Sequence, residues 1–206
     1  MDMIQCAKEK NRIKISNSAL KLFANSGFVK TTVNKIALEA QISSGALYLY
    51  YKSKYDLYAL PSVKILKRLA QRINEIANLA ITEEAKIDLV RDTFVEIYNY
   101  DSYALSNLVH LLSNDLLGNL SKETVLQIKE SSDLIQNVIT QVIKEGIEHG
   151  GFIDEEPAIL SNLIWASFIG VVFRVTSKKL LPMHKESFKH SLNMTFKIIT
   201  CGMKLK

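Results

Sequence analysis

The chain has 206 residues, of which 48% are hydrophobic and 23% charged, and its formal net charge is +5. Eight glycines and three prolines are too few for a disordered, collagen-like or linker-dominated chain. The length is sufficient to bury a core without disulfides or structural metal, so the composition indicates a self-sufficient globular protein, and the scarcity of breakers favours helices.

The sequence contains no signal for a membrane span or for secretion. Its longest uncharged run, residues 157–173, has about seventeen residues and is shorter than the roughly 20 apolar residues that a bilayer crossing needs. The amino terminus is acidic and leads into a basic stretch rather than into the apolar core of a signal peptide. We therefore expect a cytoplasmic protein without a membrane partner.

Cysteines and histidines lack the spacings of metal sites. Cys6 and Cys201 lie at opposite ends of the chain, and the four histidines form no His-x-x-x-His pair. Catalytic patterns are missing too, including a glycine-rich phosphate loop and a Gly-x-Ser-x-Gly elbow. The pair Glu145 and Glu148 has the like-charged spacing of a solvated helix face. The sequence predicts no metal site, no cofactor and no enzymatic activity.

The positive charge is concentrated at the amino-terminal end. Residues 1–58 contain nine lysines or arginines and four acids, whereas the rest of the chain contains seventeen residues of each sign. A basic module joined to a neutral body is typical of nucleic-acid-binding proteins. A solvated basic surface without a nucleic-acid partner would have the same charge, so the local pattern must decide.

Three helices are predicted within this basic segment. Apolar residues recur with helical spacing over residues 15–23, and Gly27 ends the first helix because glycine adopts the left-handed cap conformation. Thr31 or Thr32 caps a second, short helix, and Ser43 caps a third after a brief turn. Two short helices joined by such a turn form a helix-turn-helix arrangement.

The third helix has an outward face suited to DNA. Its inward positions are Leu47, Tyr50 and Tyr51. Small side chains at its start let the backbone approach base edges and phosphates. A generic three-helix bundle has no need of exposed glycine and tyrosine in a basic module, so the pattern favours DNA binding. The outward positions are Ser44, Gly45, Ala46, Tyr48 and Leu49.

Over residues 10–58 these features resemble the amino-terminal signature of TetR-family transcriptional regulators. The resemblance implies a DNA-binding regulator, most often a repressor released from its operator by a small molecule, with an all-helical ligand-binding and dimerisation body. The chain departs from the family pattern at Gln41, where glycine is usual, and at two outward positions of the third helix. The matching residues include Leu22-Phe23, Gly27-Phe28, Thr31-Thr32-Val33, Ile36-Ala37, Ile42-Ser43, Leu47-Tyr48, Tyr50-Tyr51, Lys54 and Leu57.

The resemblance and the charge chemistry together predict the DNA contacts. The outward residues of the third helix are expected in the major groove of a palindromic, double-stranded operator bound by a homodimer. Because they include no arginine or lysine, we expect half-sites containing A·T pairs, with Ala46 and Leu49 against thymine methyl groups. The residues expected to contact phosphates are Thr32, Lys35, Tyr50, Lys52 and Lys54.

Beyond residue 53 the chain is a series of long predicted helices. The first begins at the cap Ser53 and runs towards Leu79, and Pro61 is expected to kink or interrupt it. No alternating strand pattern is sustained, so the fold class is all-α, with a DNA-binding domain at 1–53 and a ligand-binding and dimerisation domain at 54–206. The later helices are predicted from the cap Thr82 to about Tyr100, over 102–117, from Ser121 to Gly150, from the cap Asp154 to Val175, and from about His184 to Met203.

The helix over residues 158–175 is apolar on nearly all sides and must be covered on several of them. It is either a central core helix or a helix shared between the core and a homodimer interface, and the family resemblance favours the shared role. Charge introduced at Phe168 or Ile169 is therefore expected to impair dimerisation or folding.

The effector is an unknown small molecule, and its pocket is expected between the predicted helix that begins at Ser53 and the segments that follow it. The polar and aromatic candidates could equally be packing residues, because aromatics at helical spacing usually pack in a core. Two other functions stay open: a helical module whose basic domain binds an acidic protein or membrane surface, and a regulator controlled by a protein partner. The ligand candidates are Tyr98, Tyr103, His110, Asn114 and Trp165.

Overall fold

The computed structural model describes residues 3–113, 116–177 and 188–204 as a bundle of helices. The only β contact in these ranges is an isolated antiparallel bridge between Phe152 and Lys204, so the all-α prediction is confirmed. The amino-terminal helices are α1 (Met3–Lys30), α2 (Val33–Glu39) and α3 (Ser44–Tyr48). The body contains α4 (Lys54–Ala77), α5 (Glu83–Tyr100), α6 (Ser102–Ser113), a 3-10 turn (Leu116–Asn119), α7 (Lys122–Glu148), α8 (Pro157–Thr176) and α9 (Phe188–Met203).

Side-chain caps begin most of these helices where the sequence predicts them. An N-cap oxygen accepts a hydrogen bond from a backbone N–H of the first turn, which otherwise has no partner in the helix. The predicted cap of α8 is wrong: Glu156, not Asp154, precedes this helix, and it forms no side-chain cap bond. Pro157 holds the first helical position, where its missing N–H costs nothing. The confirmed caps are Thr32, Ser43, Ser53 and Thr82, and Ser121, predicted as the start of a helix, is also an N-cap.

Helix α1 has a break in its geometry at the residue where the sequence predicts its end. Gly27 has φ 76° and ψ 162°, which breaks the helical geometry, but one more turn follows and extends to Lys30. This turn carries Phe28 against the ring of Tyr58, with centroids 4.6 Å apart. Gly27 therefore ends the regular helix as predicted, and a separate short turn follows it.

Helix α4 passes through Pro61 without interruption for 24 residues. Proline lacks the N–H that would bond to the carbonyl of Leu57, so the helix loses one backbone hydrogen bond there. Pro61 and the two residues that follow it, Ser62 and Val63, are buried, and the surrounding packing keeps the helix continuous. Of the two predicted outcomes the interruption is wrong, and the kink stays a prediction.

Two clusters of buried side chains form the cores. The larger lies among α4–α9, and the smaller holds the amino-terminal helices together. The smaller cluster also takes in Leu57, Tyr58 and Ala59 from α4 and Leu111 from α6. The first turns of α4 therefore pack with the amino-terminal helices, and the predicted boundary between residues 53 and 54 stays a prediction.

A buried carboxylate joins the starts of two body helices. Asp56 is 4% exposed, and its Oδ1 accepts a hydrogen bond from the backbone N of Ser121 at 2.8 Å. Its Oδ2 accepts a second bond from Ser53 Oγ at 3.1 Å. The first turn of α4 is thereby attached to the residue that caps α7.

Helix α8 is apolar on two faces. Leu160, Ile164 and Phe168 point into the body core, whereas Leu163 and Phe173 are about half exposed. By length and composition alone the helix could cross a membrane, and 33% of its apolar stretch is buried in the fold. One such helix is weak evidence for a span, because a core helix of a soluble protein has the same composition.

Candidate nucleic-acid interface

Helix α3 presents its predicted outward face to solvent. Leu49 is 84% and Tyr48 55% exposed, Gly45 is exposed, and Ser44 and Ala46 are partly exposed. Leu47 between them is completely buried and anchors the helix in the small core. A side chain added at Gly45 would meet open space, so this part of α3 can lie against another molecule.

The turn between α2 and α3 fixes the position of this face. Ser44 Oγ donates a hydrogen bond to Asn34 Oδ1 at 2.8 Å, which joins the start of α3 to α2. Gln41 adopts φ 53°, a left-handed conformation that is unfavourable for a residue with a side chain. Lys14 Nζ donates to Gln41 Oε1 at 3.2 Å across to α1. The turn therefore keeps glycine-like geometry without glycine.

The residues predicted to contact phosphates differ in how free they are. Lys52 is exposed. Lys35 is also exposed, and its Nζ donates to the carbonyl of Lys30 at 3.1 Å. Thr32 Oγ1 already accepts the cap bond of α2, and the hydroxyl of half-buried Tyr50 accepts a bond from Asn11 Nδ2 at 3.0 Å.

Lys54 has structural contacts that the sequence did not predict. Its half-buried Nζ donates to the carbonyls of Thr31 at 3.0 Å and Phe28 at 3.2 Å. It also lies 4.3 Å from the centroid of the Phe28 ring, a cation–π contact. Lys54 therefore holds the α1–α2 connection against the start of α4, and its contact with phosphate stays a prediction.

Arg12 is a neighbour of this surface that the site prediction omitted. Its guanidinium lies 5.4 Å from the centroid of the Tyr51 ring, and it borders a cavity of about 290 Å³ together with Tyr48 and Leu49. Burial raises the pKa of Tyr51, and the charge of Arg12 partly opposes that rise. Sequence position alone did not reveal Arg12, because α1 reaches this surface only after the chain has folded back.

Within the described ranges, the predicted ligand residues lie in different parts of the fold, and their role in binding stays a prediction. The Tyr98 ring stacks on the Phe188 ring with centroids 3.8 Å apart. The Trp165 ring lies in the same aromatic cluster of the body core, with its centroid 6.2 Å from that of Phe94. Tyr103 is 42% exposed and lines a separate groove beside α1. Of the other two candidates, His110 lies against Tyr58, and Asn114 lies outside the described residues.

His110 belongs to the junction between body and amino-terminal helices. Its ring lies edge-on to Tyr58 at 5.7 Å, and the Tyr58 ring in turn packs against Phe23 and Phe28. Burial raises the pKa of Tyr58 to about 12. Asn114 lies outside the described residues. The geometry therefore gives His110 packing contacts in this aromatic junction.

A model of a known family covers the segment that builds this interface. The model for bacterial regulatory proteins of the tetR family matches residues 15–60. Residues 15–60 form a TetR-family DNA-binding domain. The TetR-family match spans α2, α3 and the turn between them, and it extends into the first turns of α4.

Similarity to TetR-family proteins extends beyond this segment. An uncharacterized HTH-type transcriptional regulator of Bacillus subtilis, YhgD, is 23% identical over 180 residues, which are 87% of this chain and 91% of the relative. A tetR-family regulatory protein from Rhodococcus RHA1 has a TM-score of 0.72 at 19% identity, covering 96% of this chain and 98% of that one. The Bacillus subtilis regulator FadR, solved in complex with stearoyl-CoA, has a TM-score of 0.67 at 20% identity, covering 93% and 98%.

Proposed function

We propose that this regulator is a repressor that binds a palindromic operator as a homodimer and leaves it when a small molecule binds. The observation that carries the proposal is the outward face of α3, with Tyr48 and Leu49 exposed in the module that holds the whole net charge. Exposed apolar side chains on a short helix are costly in water, and the major groove offers thymine methyl groups for them to contact.

The homodimer is supported by the second apolar face of α8. Leu163 is 51% and Phe173 48% exposed, and on α9 the side chain of Ile198 is 67% exposed. Ala166 and Gly170 lie on the exposed side of α8, where small residues allow two helices to approach closely. An isologous interface would bury these residues and place two α3 helices on one side of the dimer.

Fatty acyl-CoA is the ligand class that we propose to test first. Support comes from the FadR structure with stearoyl-CoA, whose fold this chain shares. The proposal contains no catalytic step. In the described parts of the chain, no group of three or more His, Cys, Asp or Glu side chains could hold a metal ion.

Operator selection from random duplexes, followed by fluorescence anisotropy, tests the proposed function. We expect a two-fold site with half-sites about 34 to 36 Å apart or a multiple of that distance. Tyr48→Ala and Leu49→Ala should lose sequence preference while keeping salt-dependent non-specific binding. The matched control is Leu126→Ala, at a 53% exposed leucine on α7, and it should behave like the wild type.

Two results would contradict this proposal. One is equal affinity for all duplexes combined with binding to acidic proteins or anionic vesicles. This result favours the alternative of a helical interaction module. The other is operator binding that no acyl-CoA and no other metabolite weakens, which favours control by a protein partner. Thermal-shift screening identifies effectors, because a ligand that binds only the folded state raises the unfolding temperature.

A further inference from the structure

A groove between the amino-terminal helices and the body has the size and lining of a ligand site. It encloses about 680 Å³, within the range of roughly 300–1,000 Å³ that is typical of small-molecule pockets. One wall is α1, with Asn17, Leu20 and Ala24, and the opposite wall is α4, with residues 60–71. Tyr103 at the start of α6 closes one end. We call this space the α1–α4 groove.

The charged residues of the α1–α4 groove favour an anion. Three cations line it, Lys64, Lys67 and Arg68, against the single acid Asp101. Asp101 Oδ1 accepts a bond from the Ala104 backbone N at 2.9 Å and so caps α6. Part of its charge is therefore directed at the helix rather than at the groove.

The three cations differ in their partners. Arg68 has an ion-pair contact with Glu96 at 3.4 Å, and its guanidinium lies 4.2 Å from the centroid of the Tyr100 ring. Within the described part of the chain Lys64 and Lys67 form no ion pair, and both are exposed at the rim. Two ammonium groups one turn apart are thus available to a ligand.

The interior of the α1–α4 groove is apolar. Leu20 and Ala24 face it from α1, and Leu60, Pro61 and Ile65 face it from α4. An apolar channel with cations at its rim complements a molecule that has an aliphatic chain and an anionic head. A neutral apolar ligand would leave both ammonium groups unpaired, and a small inorganic anion would leave the channel empty.

We propose that the α1–α4 groove binds an amphipathic anion, an aliphatic chain ending in a carboxylate or phosphate group, and that its occupancy controls DNA binding. This rests on the proposed function for its regulatory part. A free fatty acid and an acyl-CoA share this chemistry. Lys64 and Lys67 pair with the head, and the chain lies along α1 and α4.

The position of Pro61 explains how occupancy reaches the DNA-binding face. The groove touches α4 where the helix lacks the hydrogen bond to Leu57, so bending costs least there. A chain inserted between the two walls moves α1, together with the first turns of α4, away from the part of α4 beyond Pro61. Because α1 packs on α2 and α3 through the small core, this movement tilts α3 relative to the body.

Titration calorimetry with lauroyl-CoA, laurate and dodecanol tests the site directly, and operator binding is measured separately. We expect lauroyl-CoA or laurate to bind and dodecanol to bind at least tenfold more weakly. Lys64→Glu should weaken the anion at least tenfold, with Lys129→Glu, an exposed lysine on α7, as its control. Ala24→Trp should fill the groove and abolish binding, with Ala80→Trp in the α4–α5 turn as its control.

Each outcome bears on a separate part of the proposal. Absence of binding by both anions to the wild type overturns the site, whereas operator binding by the same sample leaves the proposed DNA function standing. Equal affinity of the wild type and Ala24→Trp, with both folded by circular dichroism, also overturns it. Binding that is lost in Ala24→Trp but leaves operator affinity unchanged overturns the regulatory part. Whichever of laurate and lauroyl-CoA binds more tightly identifies the source of the head group.

Discussion

Replacing Lys54 separates a structural role from a DNA-contact role in one side chain. Its ammonium group has three N–H donors, and two of them bond to the carbonyls of Thr31 and Phe28. One donor therefore remains for a phosphate. Lys54→Ala is expected to lower both the stability of the fold and the affinity for DNA, by different mechanisms.

The expected loss of stability follows from these contacts. Hydrogen bonds from a charged group contribute about 1.5–3 kcal/mol each, and an exposed cation–π contact contributes about 0.5–1 kcal/mol. Because Lys54 is only half-buried, water replaces part of these interactions in the variant. We expect Lys54→Ala to lower the free energy of unfolding by about 2 kcal/mol, whereas Lys52→Ala, at an exposed side chain, should change it by less than about 0.5 kcal/mol.

Two assays measure the two effects. Urea denaturation at one fixed protein concentration gives the free energy of unfolding, since dimerisation makes it concentration-dependent. Anisotropy at several salt concentrations gives the number of phosphate contacts, because each contact contributes about 0.9 to the slope of log affinity against log salt. Both variants should lose about that much slope. Equal unfolding free energies for Lys54→Ala and Lys52→Ala would refute the structural role.

Three further predictions concern the turn, the dimer and the response to pH. Gln41→Gly relieves a left-handed conformation that costs about 1–2 kcal/mol, but glycine loses more chain entropy on folding, which costs about 0.5–1 kcal/mol. Urea denaturation should therefore show a gain in the free energy of unfolding of up to about 1.5 kcal/mol, and a loss would contradict the strain. Leu163→Glu should give a folded monomer in sedimentation. Phe168→Glu should instead unfold the chain, because the Phe168 ring stacks on the Phe94 ring with centroids 4.1 Å apart. The reverse pattern would contradict the assignment of the two α8 faces. Burial raises the pKa of Tyr58 from about 10 in the unfolded chain to about 12 in the folded state. The free energy of unfolding should therefore fall as pH rises from 10 to 12. Identical pH profiles for Tyr58→Phe and the wild type would exclude this cause.

Local sequence chemistry predicted the helices well. Hydroxyl caps and hydrophobic spacing depend on residues within one or two turns, so Thr32 and Ser121 begin their helices as expected. The errors arose where two local signals competed. Pro157 replaced the cap at Asp154, and packing around Pro61 kept α4 continuous although proline lacks a donor.

The groove that we propose as a ligand site was less accessible to sequence reasoning. Tyr98 and Trp165 are aromatic at helical spacing, a pattern that packing produces as readily as binding, and they lie in the core cluster. The α1–α4 groove is formed by residues more than forty positions apart, such as Leu20 and Ile65. Neither helix contains a motif that announces the space between them, because the groove results from the angle at which the helices meet.

The hydrogen bond from Ser121 to Asp56 limits how the amino-terminal helices can move. A bond to a buried carboxylate contributes about 1.5–3 kcal/mol, similar to the 1–3 kcal/mol by which a typical effector changes affinity. An effector therefore has too little energy to break this bond and also displace the DNA. In the proposed response the starts of α4 and α7 therefore move as one unit while α4 bends at Pro61. The Ser121 amide should accordingly stay protected from hydrogen exchange in both the DNA-bound and the released protein.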